Sequence, residues 1–431
     1  MRKRIALLIV LGFGPALAGR AETIPDRTLT IEDSVRLAMN NSPALLSSRE
    51  DVNIAMQRVR EAESLFFPKL DLNANWSKFR VEGDRPLLLQ PAMGPTLIDD
   101  SPRQNFFSGR ANIYQTVYEG GRSRNTWRQA RISYERAKSV NDTLTAQVTG
   151  DAKQAFNDLL AAQEKLRQYQ AIQQTIDSQS KVETGGLNLI RLVGEASVLK
   201  AQLAEARLAE QQARLMYLRT LNLELNTNVA LKGQLETHPV ELDLQKMLAW
   251  STQYRAELRQ TEYQQELDAL GISLSLAERT PTVAFGASYE RTGHDLDLPT
   301  ANWAGTLNIN LPVSISDMIF GWAKVREHRA QYRQATLKHA ETADQIQMQV
   351  REAYTRYRFW QEELSPREQT LRRLEPVMES LRRQGVQGYE RLIAERTFLE
   401  ACLRYHEAIR GHLNALASLE QAVGHPLTSG F

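Results

Sequence analysis

The chain has 431 residues, a formal net charge of +2, one cysteine and a mean hydropathy of −0.43. The near-neutral charge argues against nucleic acid as a partner, and the single cysteine excludes an intrachain disulfide framework. Long tracts rich in Ala, Leu, Glu, Gln and Arg are typical of long helices and coiled coils.

The chain begins with the layout of a secretory signal peptide, which we assign to residues 1–18. Basic residues at positions 2–4 precede an apolar run, and residues 16–18 supply the small side chains that a signal peptidase reads. The apolar run is shorter than the roughly 20 residues that a membrane-spanning helix needs. We therefore expect cleavage near residue 18 and export of the remaining chain.

The mature chain consists of two similar halves. An offset of 213 residues aligns Pro68 with Pro281, and further on an offset of 200 aligns Gly121 with Gly321. We expect a first repeat at 19–228, a second at 229–425 and a short tail at 426–431. The elements predicted in chain order are a helix pair at 31–66, strands at about 69–78 and 105–116, a helical hairpin at 121–225, a helix pair at 240–279, strands at about 282–291 and 302–312, and a helical hairpin at 321–423.

Residues typical of helix starts and ends lie at the beginning of the first repeat. Thr30 with Asp33 forms a start that resembles a capping box. Ser42 is placed as the N-cap of the second helix, and Pro43 occupies its first position. Pro68 then ends the helical pattern.

After Pro68 the hydrophobic period changes from 3.6 to 2. Four runs are apolar on one face and polar on the other, as a transmembrane barrel strand requires. A pair of soluble hairpins packed on a helix is the alternative. The polar positions that we expect to face a barrel lumen are Lys69, Asp71, Asn73, Asn75, Arg110, Asn112, Asn308 and Asn310.

Four strands cannot close a barrel in lipid, where open strand edges are not tolerated and the smallest barrels have about eight strands. Copies of the chain must therefore share one barrel. Two copies give eight strands with a filled interior, whereas three copies give twelve strands and space for an aqueous pore. If the chain forms a conduit, the homotrimer is favoured, because only its barrel leaves space for water. The segments 80–104 and 291–301, which connect the strands, should then be the extracellular loops.

The helical hairpins are long enough to cross a periplasm. Sixty-odd residues span roughly 90–100 Å at 1.5 Å per residue, and helices of this length need coiled-coil packing against neighbours. The predicted tip turns contain Gly185, Gly186, Gly385 and Gly388. In the outgoing helix of the second hairpin we expect breaks or kinks at Pro366 and Pro376.

Several short segments, in this order, resemble the TolC-like outer membrane efflux proteins, or outer membrane factors. They are residues 29–35, 40–45, 67–70, 118–121, 388–399 and 422–424, and the resemblance covers essentially the whole mature chain. It implies an α+β membrane protein with an internal two-fold duplication. In such proteins, a long α-helical coiled-coil tunnel in the periplasm continues a trimeric 12-stranded outer-membrane β-barrel, to which each chain contributes four strands.

The resemblance also implies a function. Such proteins are passive outer-membrane conduits of tripartite efflux or type I secretion systems. The implied partners are two further copies of the chain, outer-membrane lipid, a periplasmic adaptor (membrane fusion) protein and an inner-membrane pump.

The second tip departs from the family pattern. In the stretch from Glu390 to Glu395, Arg391 and Ala394 stand where the family pattern would have acidic residues. The offset of 200 pairs Arg391 with Arg191. We expect the two arginines and the two glutamates near the periplasmic entrance. Our hypothesis is that the two arginines from three subunits place about six positive charges there, which would favour anionic substrates. The alternative is that the arginines lie on the surface or pair with the two glutamates.

The residues predict no enzyme. The seven histidines lack zinc-ligand spacing, and the mature chain has no P-loop, nucleophile elbow or workable dinucleotide fingerprint. We therefore expect neither cofactor nor metal. The alternative function is a soluble periplasmic coiled-coil adaptor, which would not need four strands with an unbroken apolar face.

Overall fold

The structure, a computed structural model, describes residues 28–79, 104–179, 186–237, 240–293, 296–312 and 322–427. The predicted signal peptide, most of the first extracellular loop, Gly185 and the end of the tail lie outside these residues.

Both repeats have the predicted order of elements. The helices are α1 (Ile31–Asn41), α2 (Pro43–Glu63), α3 (Arg122–Gln179), α4 (Leu187–Thr220), α5 (Leu244–Tyr254), α6 (Ala256–Ala277), α7 (Trp322–Arg383) and α8 (Tyr389–Val423). The strands are β1 (Thr28–Leu29), β2 (Lys69–Phe79), β3 (Gln104–Tyr118), β4 (Ala230–Leu231), β5 (Thr282–Gly293) and β6 (Thr300–Asn310). The predicted elements agree with these bounds to within a few residues.

The caps at the start of the first repeat form as predicted. The Asp33 backbone N–H donates to Thr30 Oγ1 at 3.2 Å, and the Thr30 backbone N–H donates to the Asp33 carboxylate at 3.4 Å. The Leu45 backbone N–H donates to Ser42 Oγ at 3.4 Å, with Pro43 at the first helical position. These bonds satisfy donors that a helix start would leave unpaired.

The four long strands form one antiparallel sheet in the order β2-β3-β5-β6. β2 and β6 are therefore the edge strands. The short β1 pairs in parallel with β4, so the beginning of the first repeat is joined to the beginning of the second.

The long helices pack as two antiparallel hairpins beneath the sheet. α3 has 58 residues and α7 has 62, which corresponds to lengths of about 90 Å. In the tunnel portion the main contacts run in a row from α4 to α3, then α8, then α7. Nearer the sheet, α2 contacts α3, α3 contacts α6, and α6 contacts α7. The row of helices therefore has two edges, with α2 and α4 at one and α7 at the other.

Of the breaks or kinks expected at Pro366 and Pro376, the breaks are wrong, because α7 continues as one helix through both prolines. A proline inside a helix leaves the carbonyl four residues earlier without its donor. Here those carbonyls belong to Glu362 and Arg372, and all four residues are exposed. Water can hydrate the freed carbonyls, so the helix tolerates both prolines.

None of the helices in the described ranges is long and apolar enough to be a membrane span.

Candidate conduit surfaces and periplasmic tip

The strand register gives the sheet one polar face. Asn73 lies opposite Arg110, Arg110 lies opposite Glu290, and Glu290 lies opposite Asn302. Residues directly opposite each other on paired strands lie on the same face of the sheet, and along each strand every second residue lies on that face. The polar positions of all four strands therefore lie on one face. Every position predicted to face a lumen lies on this face: Lys69, Asp71, Asn73, Asn75, Arg110, Asn112, Asn308 and Asn310.

The opposite face is apolar and open. Leu72 is 74% exposed, Leu307 is 65% exposed and Trp303 is 83% exposed. Trp76 and Phe107 stack on this face with ring centres 6.5 Å apart. The apolar face resembles the interior of a protein in composition, yet no described part of the chain covers these residues.

On the two central strands, β3 and β5, the polar face is the more sheltered side of the sheet. On it, Ala284, Thr292 and Phe106 are almost fully buried. Arg110 and Glu290 form a salt bridge across β3 and β5 at 2.8 Å, with both side chains largely covered. The positive charge of Arg110 is therefore balanced locally.

Three glycines of the tip turns have backbone angles that other residues rarely adopt. φ is 85° at Gly186, 70° at Gly385 and 72° at Gly388, a region that costs a residue with a Cβ extra energy. Gly186 directly precedes α4 and Gly388 directly precedes α8.

Arg391 is a partner of Glu395. Arg391 Nη2 lies 3.9 Å from a Glu395 carboxylate oxygen, and the Arg391 side chain is only 26% exposed. Arg382 donates two hydrogen bonds to the same carboxylate, at 3.1 and 2.9 Å, and these hold the pKa of Arg382 above its ordinary value. The buried Glu395 thus lies between two arginines, which is the ion-pair alternative that the sequence left open.

Arg191 has a different environment. It is exposed, and its guanidinium carbon lies 5.9 Å from the centre of the Tyr389 ring. The next residue, Leu192, is fully buried in one cluster with Leu392 of the second hairpin. The two tips therefore lie side by side, and Arg191 contributes an exposed positive charge next to Glu390, which is also exposed.

Polar contacts join the two hairpins along the contact between α3 and α8. Lys153 pairs with Glu420 at 2.5 Å, and Asn157 donates to Asn414 at 3.2 Å. The partners lie 267 and 257 residues apart in the chain. Sequence analysis missed these residues, because periodicity gives no signal for a contact between distant helices.

His412 is a second residue that the sequence did not single out. It is fully buried on α8, its Nδ1 lies 2.7 Å from Thr237 Oγ1, and its ring centre is 4.8 Å from that of Tyr357. Burial lowers the pKa of His412, since a charged imidazolium is poorly solvated there.

Within the described ranges, no group of three or more His, Cys, Asp or Glu is placed to hold a metal ion. Burial raises the pKa of the Cys402 thiol to about 11, so the sulfur is protonated at neutral pH and behaves as a small apolar group.

Comparison with known proteins agrees with this architecture. The model of the family described as outer membrane efflux protein matches residues 35–231, which cover most of the first repeat. Over these residues the chain is similar to the outer membrane efflux protein family.

Solved channels of this kind share the fold over both repeats. The outer membrane channel CmeC of Campylobacter jejuni matches 95% of this chain and 90% of its own, with 15% identity and a TM-score of 0.73. The MtrE outer membrane channel of Neisseria gonorrhoeae, solved in its open state, matches 92% of this chain and 89% of its own, with 16% identity and a TM-score of 0.74. CusC, whose crystal structures concern transmembrane channel formation, matches 96% of this chain and 99% of its own, with 17% identity and a TM-score of 0.69. No curated protein sequence matches the chain.

Proposed function

We propose that three copies of this chain form one passive efflux channel that joins the periplasm to the exterior. In this proposal an inner-membrane pump supplies the energy, and a periplasmic adaptor docks the channel onto it, in a tripartite efflux or type I secretion system. The observation that carries the proposal is the four-stranded sheet with one polar and one apolar face and two unpaired edges.

The sheet supports a shared barrel for a physical reason. Lipid offers no hydrogen-bond partners for the edges of β2 and β6, so these edges need strands from other copies. In a closed barrel the exposed Leu72, Trp303 and Leu307 face lipid, and the polar face lines the lumen. Three copies supply twelve strands, and this number leaves room for water where eight would not.

A soluble adaptor is the competing function. An adaptor in water would have to cover or replace the row of apolar side chains on the outer face of the sheet, because soluble proteins rarely expose large apolar patches. The exposure of Trp303, 83%, and of its neighbours on that face favours the channel.

Planar-bilayer recordings of the mature protein, extracted from outer membranes, test the proposal. We expect discrete conductance steps, and Asn308→Lys should shift the ion selectivity towards anions because in this proposal Asn308 lines the lumen. The matched control is Ala301→Lys, which carries the same charge on the opposite face of the same strand and should leave the ion selectivity unchanged. If the wild-type protein produced no conductance in the bilayer at any voltage, the proposed channel function would be overturned.

A further inference from the structure

Two exposed arginine faces lie on the long helices directly below the sheet. They consist of Arg124, Arg128 and Arg131 on α3 and of Arg326, Arg329 and Arg333 on α7. At 100° per residue, the three residues of each face fall within about 60° of one another. At 1.5 Å per residue, each face lies within about 15 Å of the start of its helix.

The charges of the two arginine faces are not balanced by ion pairs. Lysines in the same part of the two helices do have partners, since Lys138 pairs with Glu135 at 3.1 Å and Lys324 pairs with Glu278 at 2.6 Å. Among the residues that the structure describes, none of the six arginines forms a salt bridge. The region just below the sheet therefore carries a surplus of positive charge.

Both arginine faces point to the same side of the helix row. α6 lies between α3 and α7, and it contacts Thr143 of α3 through Gln260 at 2.8 Å and His339 of α7 through Thr261 at 2.7 Å. Viewed along the chain, the face on α3 lies roughly a quarter-turn anticlockwise from Thr143, and the face on α7 roughly a quarter-turn clockwise from His339. Because α6 is on opposite sides of the two helices, these opposite rotations lead to one side.

This side is the outer one in the proposed channel. Tyr354 of α7 lies within about 60° of the arginine face on that helix, and its hydroxyl donates to the Leu242 carbonyl at 3.0 Å. Leu242 belongs to the linker between the two repeats. A linker on the inner side would cross the conduit, so the linker and the arginine faces lie outside it.

Aromatic side chains mark the level at which the sheet meets the helices. Phe67 precedes β2, Tyr118 ends β3 and Trp322 begins α7, and they are 67%, 52% and 49% exposed. Exposed aromatic residues are enriched where a membrane meets water. Arg326 lies about one turn beyond Trp322 on the same side of α7. The arginine faces therefore begin where lipid headgroups, a layer roughly 5–8 Å deep, are expected.

We propose that the two arginine faces bind the headgroups of anionic phospholipids in the periplasmic leaflet of the outer membrane. A guanidinium group can donate two hydrogen bonds to the oxygens of one phosphate, and its long side chain can extend towards the headgroup layer. The inference rests on the proposed channel, because a bilayer lies at this level only if the sheet is embedded in lipid.

An acidic protein surface is the other partner that charge alone would allow. Further from the sheet, three arginines on the same side of α7 each pair with a glutamate about one turn away. They are Arg358, Arg372 and Arg383, with N–O distances of 3.0, 2.5 and 2.8 Å. The arginine faces lack such pairs and lie beside the apolar face of the sheet, which favours lipid as the partner.

Native mass spectrometry of the mature protein tests this assignment, after purification from outer membranes in a neutral detergent and removal of bound lipid. The probes are phosphatidylglycerol, which is anionic, and phosphatidylcholine with the same acyl chains, which has no net charge. At equal concentrations we expect about tenfold more retained phosphatidylglycerol. Added salt should reduce this preference, because ions screen the attraction between exposed charges. The comparison uses the wild-type protein, so it does not depend on the folding of a variant.

A pair of triple variants locates the binding surface. Each variant removes three positive charges from the same side of α7. The test variant is Arg326→Gln, Arg329→Gln and Arg333→Gln, and the matched control is Arg358→Gln, Arg372→Gln and Arg383→Gln. The preference for phosphatidylglycerol should fall about fivefold in the test variant and stay unchanged in the control. Equal losses in both variants would overturn the inference, because the total charge and not these faces would then retain the lipid.

A soluble phosphate ester distinguishes lipid from free phosphate. Excess glycerol phosphate should not displace phosphatidylglycerol, because it lacks the acyl chains that hold a headgroup beside the sheet. Displacement would overturn the lipid assignment.

The result also separates this inference from the proposed channel. A trimeric protein that conducts in bilayers but retains the two lipids equally overturns the inference, leaves the channel standing and favours an acidic protein as the partner. A protein that is neither trimeric nor conducting overturns the channel and the inference together.

Discussion

Gly411 allows α8 to approach Trp360 of α7 closely. A Cβ built on Gly411 would lie 2.3 Å from Trp360 Cε2 and 2.4 Å from Cδ2. Carbon atoms in contact prefer about 3.5–4.0 Å, so Gly411→Ala requires the ring or the helices to move by roughly 1 Å. Trp360 is held against Leu364 and Ile409, and the Arg367 guanidinium lies 5.6 Å from its ring centre.

Two effects of opposite sign determine how much Gly411→Ala changes the free energy of unfolding. Overpacking costs about 1–3 kcal/mol, whereas replacing glycine by alanine within a helix contributes about 1 kcal/mol of stability. We expect Gly411→Ala to destabilise the protein by up to about 2 kcal/mol. In a Trp360→Leu background the clash is absent, and the same change should stabilise.

A double-mutant cycle separates these effects. The assay is the midpoint of thermal unfolding by far-UV circular dichroism, in one detergent and at one protein concentration for all four proteins. The reasoning requires a coupling energy of about 1–3 kcal/mol between the two positions. Equal effects of Gly411→Ala in both backgrounds would refute the close approach of α8 to Trp360.

Four further changes follow from the sheet, the tip and the buried histidine. Leu307→Lys on the apolar face should cost about 2–4 kcal/mol and lower the yield in the outer membrane, whereas the adjacent Asn308→Lys should be tolerated. Arg191→Asp should shift bilayer ion selectivity towards cations, since Arg191 is exposed at the tip. Glu395→Gln should destabilise the second hairpin by roughly 1–3 kcal/mol, because it leaves two arginines without their carboxylate. His412 binds a proton more readily in the unfolded than in the folded protein, so the free energy of unfolding should fall as the pH drops below about 6.5, until the lowered pKa of the folded protein is reached. His412→Gln should make this fall smaller, as measured by the midpoint of unfolding at a series of pH values.

Each of these has an outcome that contradicts it. Equal membrane yields for the two lysine variants would mean that the faces of β6 are not distinguished by lipid. Unchanged selectivity in Arg191→Asp would remove this arginine from the ion path. A Glu395→Gln protein as stable as wild type would show that the tip pairs are screened by water, and an unaltered pH slope in His412→Gln would assign the acid sensitivity to other groups.

The parts of the fold that could be predicted from the sequence are those determined by residues close together in the chain. Thr30, Ser42 and Pro68 act on the backbone within a few residues, so the helix bounds follow from residue type. The alternation along the strands is equally local, and it predicted the polar face correctly because period 2 fixes the side of every residue once one is known.

Contacts between distant residues had no such signal. The Arg110–Glu290 salt bridge depends on the register of β3 against β5, and the Arg382–Glu395 pair forms across the tip turn. Neither pair can be predicted from the hydrophobic periodicity of the sequence. Pro366 misled for a related reason, since whether a proline breaks a helix depends on solvent access to the carbonyl it releases, which only the packing determines.

The mass of the mature protein, extracted from outer membranes in mild detergent, tests the central claim most directly. Light scattering with the detergent contribution subtracted should give three times the mass of the chain, as a barrel shared by three copies requires. A monomer that leaves the cells without detergent would contradict the shared barrel and favour the soluble adaptor.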